Sequence, residues 1–164
     1  MFALRCTAKL LERLSTRPTT ATAEPTTRLG DWYATLLLTR PQLILVVSAR
    51  TLLPVLVPAH DAKTLLAPRL RGAVGDMLIA IGVSPRSVHA EVQAMESVVF
   101  ARTASRQILG SLNDFVWMCG AYLDGRPLLD VALHLADTPC GPLRMDSPRH
   151  VTAALFAGES AFAM

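Results

Sequence analysis

The segment Thr103 to Phe115, TASRQILGSLNDF, gathers polar groups among apolar ones. On a helix, Arg106 and Asn113 stand seven residues apart and share a face with Gly110 between them. Asp114 lies one turn beyond Gly110 on the adjoining face. A guanidinium, an amide and a carboxylate around a glycine notch have the chemistry to hold an anionic or amide-bearing ligand. Arg106, Gly110, Asn113 and Asp114 are therefore the candidate ligand-binding residues. The same pattern has a packing reading, which carries the greater weight. In it, Gly110 lets another element approach closely, so alanine is tolerated there and leucine is not.

Other groupings carry less. Asp130 and His134 are four apart and could orient a general base on a helix, but no nucleophile stands beside them. Ser111 lies in L-G-S-L-N, not in a G-x-S-x-G elbow. Cys140, in T-P-C-G-P, has only Arg144 as a cation nearby in sequence, whereas a reactive thiol needs a positive setting. Trp32 and Tyr33 open a strand and read as core and rim rather than as a stacking platform. No phosphate-loop or dinucleotide motif is present, and no cofactor is implied. Cys6, Cys119 and Cys140 are widely spaced and read as reduced thiols. The histidines at 60, 89, 134 and 150 show no metal-ligand spacing, so no metal is expected.

The elements that must position these groups follow from apolar periodicity. Phe2 to Cys6 reads as a strand, and Thr7 as the N-cap of a short helix, AKLLERL. Three apolar runs after Asp31, separated by Arg40-Pro41-Gln42 and Arg50-Thr51, read as an antiparallel meander. Its middle run, Leu43 to Val47, suits a strand covered on both faces, and Pro54 suits an edge. Leu66, Leu70, Val74, Met77 and Ile81 form one stripe of a helix from about Thr64, with Pro68 tolerable only in the first turn and Gly82 at the C-terminus. Ser84-Pro85 starts another helix, and VVFAR at 98–102 has strand character. Ser105 caps a helix to Leu123 whose apolar stripe is Ile108, Leu112, Phe115, Met118 or Cys119, and Tyr122. Residues 127–136 fit either a helix or a strand, with helix favoured, and a last helix covers about 147–156.

The fold class is therefore α+β: a small antiparallel sheet of about four to five strands packed against several α-helices. Residues 1–164 read as one domain, with a mobile Thr/Pro-rich loop at 15–28 and a frayed tail from about 158. With 51% hydrophobic and 5% aromatic residues, the core must be aliphatic. The run from Gln42 to Ala59 has Arg50 at its middle and two prolines, which suits strands better than a membrane span. No secretory signal opens the chain, so a cytoplasmic location is expected. A net charge of +3 and scattered arginines such as Arg13, Arg17 and Arg28 do not mark a dedicated nucleic-acid binder.

The opening Arg5-Cys6-Thr7-Ala8-Lys9-Leu10-Leu11 and the segment Ser105 to Phe115 resemble an uncharacterised bacterial family catalogued as a domain of unknown function. Its pattern is R-C-T-x-K-L-L, then S-R-x-[IV]-L-G-S-[LM]-N-D-F. The resemblance runs from Leu4 to about Val151, departs at Ala104, Gln107 and Leu112, which weakens a ligand role for that turn, and implies a shared fold with no activity attached. The functional expectation is a non-enzymatic cytosolic binding or protein-interaction domain. Surplus apolar surface would meet a protein partner or a second copy, with nucleic acid and membrane disfavoured. The alternative is a small enzyme or ligand-binding site built on Arg106, Asn113 and Asp114, with Ser111 or Cys140 nearby.

Overall fold

The structure, a computed structural model, describes residues 1–20 and 22–160, the last two by backbone alone. The chain opens with β1 (Phe2–Cys6) and α1 (Ala8–Leu14). The meander follows as β2 (Trp32–Leu37), β3 (Leu43–Ser48) and β4 (Pro54–Pro58). Helices α2 (Ala62–Ala80) and α3 (Pro85–Ala94) lead to β5 (Val98–Arg102). Helices α4 (Arg106–Tyr122), α5 (Leu128–Ala136) and α6 (Pro148–Ser160) complete the order.

These elements make an α+β fold on one sheet of order β4-β3-β2-β1-β5. The meander pairs antiparallel, with Val46 opposite Ala34 on one side and Val55 on the other. The sheet as a whole is mixed, not antiparallel, because β1 runs parallel to both neighbours, with Leu4 beside Trp32 and Phe100. Tight links force antiparallel pairing only where they occur. Between β1 and β2 the chain passes through α1 and a long loop, enough for a crossover that returns in the same direction.

Strand alternation sends side chains to two cores. Trp32, Ile44, Val46 and Val55 face one core, which α1 and α2 close with Leu10, Leu14, Leu66, Leu70, Val74 and Met77. Tyr33, Leu45, Val47 and Leu56 face the other, closed by Leu112, Phe115 and Cys119 of α4. β3 is thus buried on both faces, as its continuous apolar run predicts. β4 is the edge, as Pro54 predicts, and α5 covers it. α5 gives Ala132 and Ala136 to the first core and Val131 and Leu135 to the second.

Local chemistry sets most helix ends. The Ser84 hydroxyl accepts from the Ser87 amide with Pro85 in the first turn, and the Ser105 hydroxyl accepts from the Ile108 amide at 3.2 Å. Gly82, at φ +92°, ends α2 with its amide bonded to Ile79 O and the Val83 amide to Leu78 O, a Schellman closure. Two readings change. Thr7 occupies the N-cap of α1, but its hydroxyl meets Thr35 Oγ1 at 3.1 Å instead of capping. α2 starts earlier than its apolar stripe, at Ala62, so Pro68 sits in the second turn, where it cannot donate to Thr64 O.

The Thr/Pro-rich segment is tied at both ends. The Thr19 amide bonds Phe100 O at 2.8 Å, and the Thr26 amide bonds Met1 O at 2.9 Å. Thr27 is buried, with its hydroxyl on Gly30 O. Arg5 also donates to Thr22 Oγ1, so limited digestion with a broad-specificity protease is expected to cut first at 23–25, with mapping by mass spectrometry. First cuts elsewhere would remove mobility from this segment. The tail is helical to Ser160, and the expectation of fraying beyond it lies outside the described residues.

Candidate functional site

Helix α4 crosses the face of the sheet opposite α1 and α2. Its inner stripe, Leu112, Phe115 and Cys119, is buried, as the spacing predicts. Arg106, Gly110 and Asn113 share its exposed face. A Cβ built at Gly110 meets nothing within 4 Å, so the close-packing reading of this glycine is overturned. The helix turns that face to solvent because its apolar stripe already claims the sheet. Gly110→Ala is therefore expected to raise stability by up to about 1 kcal/mol through helix propensity. Gly110→Leu should be tolerated as well, both read by urea melts.

Of the four, Asp114 lines the cavity between α4 and the turn at 138–142. On α4 it is joined by Ser111, Phe115, Trp117 and Met118, and the opposite wall is the backbone from Thr138 to Pro142. The volume is about 320 Å³. The far wall is stiff: the Cys140 amide bonds Asp146 O at 3.0 Å, its carbonyl accepts from Met145, and a 3-10 turn spans Gly141–Leu143. Ser111 is 8% exposed, and its hydroxyl has no hydrogen bond within the described residues. Trp117 stands on the rim at 85% exposure.

Ser111, Asp114 and Cys140 thus converge, whereas Arg106, Gly110 and Asn113 lie outside the cavity lining. Cys140 is buried and its thiol donates to Thr138 O at 3.4 Å. Burial first, and then the negative charge of Asp114, push this thiol above the ordinary range. It is therefore protonated and a weak nucleophile at neutral pH. Burial pushes Cys6 up to about 12 and Cys119 up to about 11, and all three cysteines are free thiols. Asp114→Asn removes one cause of the shift at Cys140, so more thiolate exists at a given pH. Iodoacetamide at pH 8 is expected to label Cys140 before Cys6 and Cys119, and several-fold faster in Asp114→Asn. An unchanged rate would show that Asp114 does not act on the thiol.

Asp130 and His134 both lie exposed on α5, and the His134 ring packs on Tyr122 with centroids 4.0 Å apart. Among the described residues no group of three or more His, Cys, Asp or Glu side chains could hold a metal ion. The sequence reading missed the cavity's aromatic wall. The available signal was Trp117, a large aromatic two positions from Phe115 and so off the inner stripe.

A mixed five-stranded sheet, helices on both faces, and a cavity between α4 and a proline-bounded turn define an α+β domain with a side pocket. The family model described as Domain of unknown function (DUF6933) matches residues 3–151, and the chain belongs to that family. No curated protein and no solved structure matches it.

Proposed function

We propose that this chain is a non-enzymatic cytosolic binding domain that recognises a protein partner by seating a lysine or arginine side chain in the α4 cavity. The observation that carries the reading is the lining itself: one charged group, Asp114, among Phe115, Trp117, Met118 and two prolines. A basic side chain satisfies both parts. Its methylene stem covers apolar wall while its head meets the carboxylate. A cation over an indole adds about 0.5–1 kcal/mol at an exposed site. The Ser111 hydroxyl offers the head a further acceptor. An exposed tryptophan beside a small pocket is also the kind of anchor on which protein interfaces concentrate their energy. Among the described residues no helix is long and apolar enough to cross a membrane.

The enzyme reading draws less support. Arg106 and Asn113 are not among the lining residues, and the thiol in the cavity is held protonated. The test is an NMR titration with two short peptides of equal length, one lysine- and arginine-bearing, one acidic. The basic peptide is expected to shift the Trp117 indole N–H and the amides of 140–141, and Asp114→Asn and Trp117→Ala should each abolish the shift. Equal response to the acidic peptide, or none at millimolar concentration, would refute the reading.

A further inference from the structure

A second concavity lies at the other end of α4, and its chemistry is opposite. Strands β1 and β5 are parallel neighbours in register from Phe2 beside Val98 to Cys6 beside Arg102, so their carboxyl ends coincide. Beyond those ends the chain diverges. After β1 it enters α1, whose Leu10 and Leu14 pack into the first core. After β5 it enters α4, whose Leu112 and Phe115 pack into the second core, on the other face of the sheet. Adjacent parallel strands whose chains leave to opposite faces open a crevice at their carboxyl ends, the place where open sheets with parallel strands hold ligands.

Here the crevice is a cavity of about 540 Å³ between residues 101–104 on one side and residues 17–20 and 22 on the other. Its lining holds three arginines, Arg5, Arg17 and Arg102, with the threonines 19, 20, 22 and 103, and no acidic residue. Arg5 is held in place: its guanidinium donates to Arg102 O and Thr22 Oγ1, both at 3.1 Å, and its Nε lies 3.4 Å from Asp31 Oδ2. Asp31 therefore offsets one of the three charges. Arg17 and Arg102 are exposed, and their guanidiniums make no ion pair or hydrogen bond among the described residues. Glu12 borders an adjoining hollow shared with both and forms no ion pair with either.

The geometry points to an anion site, and we propose that this crevice binds the phosphoryl oxygens of a small phosphorylated molecule. Planar guanidiniums and hydroxyl donors are matched to a multiply charged oxyanion. The cavity is larger than phosphate alone and falls in the size range of small-molecule sites. Its threonines supply neutral donors where an extended nucleic-acid surface would present a row of cations. The site shares no residue with the α4 cavity and stands or falls separately from it.

Pyrophosphate is the probe, added at low ionic strength against chloride of matched ionic strength. The thermal midpoint is expected to rise with pyrophosphate, and the side-chain Nε–H resonances of Arg5, Arg17 and Arg102 should shift. Removing two charge-assisted contacts in Arg17→Gln/Arg102→Gln should weaken binding by about tenfold or more. Arg86→Gln, an exposed arginine on α3, should leave it unchanged. Arg17→Gln alone carries the same test if the double variant fails to fold. No rise beyond the chloride control, or a rise unaltered by the variants, overturns the proposal. So does a duplex DNA that binds the same arginines more tightly than pyrophosphate.

Discussion

Glu91→Ala is expected to lower the free energy of unfolding by about 2–5 kcal/mol, because it strands two backbone amides at about 1–3 kcal/mol each. For a domain of this size that is on the order of 10 °C in the thermal midpoint. Glu91 is 2% exposed on α3, and its carboxylate accepts the Arg28 amide at 2.7 and 3.1 Å and the Leu29 amide at 3.3 Å. It thereby steers the chain into β2. The Arg28 guanidinium continues the knot, donating to Leu155 O at 3.3 Å and lying 5.8 Å over the Phe156 ring of α6. Alanine leaves the Arg28 and Leu29 amides unsatisfied, at about 1–3 kcal/mol each, and loosens the junction of α3, α6 and β2 at once. Glu91→Gln keeps one acceptor oxygen and should lose less. Glu96→Ala, exposed just beyond the same helix, should change stability by no more than about 0.5 kcal/mol. Urea melts of the three variants decide the matter: a Glu91→Ala loss as small as that of Glu96→Ala would show that the carboxylate does not hold the junction.

Trp32→Ala is expected to cost a further large amount, about 3–5 kcal/mol. Trp32 is fully buried at the start of β2, among the largest enclosed side chains. Its indole Nε1 is buried without a hydrogen-bond partner among the described residues. That orphan donor separates two substitutions. Trp32→Phe removes ring volume but also removes the unsatisfied N–H, whose burial costs about 1–3 kcal/mol. The phenylalanine variant should therefore retain most of the stability that alanine forfeits. If phenylalanine is nearly as damaging as alanine in calorimetry, the indole N–H contributes favourably and a partner for it must exist in solution.

Much of the architecture was legible because its causes are local. Apolar runs split by short turns marked the meander, and the four-four-three-four spacing from Leu66 to Ile81 marked α2. Ser84 and Ser105 announced helix starts because a capping hydroxyl acts within three residues. Pro54 announced an edge strand because it has no N–H to give. Where local rules compete, the reading slipped. Thr7 carries a capping residue, but Thr35 across the ladder took its hydroxyl. Gly110 invited a packing explanation that only a neighbour could supply, and the face it occupies has none.

The candidate site divides along the same line. The segment from Arg106 to Asp114 was legible as a polar cluster on one helix, but helical spacing does not reveal what stands opposite. The wall from Thr138 to Pro142 arrives from twenty or more residues away and faces Ser111, Asp114, Met118 and the aromatic flank, not Arg106 or Asn113. By itself, then, the sequence determined the elements, their apolar faces and the α+β class, since propensity and periodicity act over a few residues. Tertiary structure alone decided that β1 runs parallel to its neighbours. It alone buried Glu91 against amides 62 and 63 residues away, and brought Cys140 beside Asp114. Those outcomes depend on long crossovers and on which faces remain uncovered once the strongest apolar surfaces have packed. Such contacts are chosen by the free energy of the whole chain, and no local window of residues contains them.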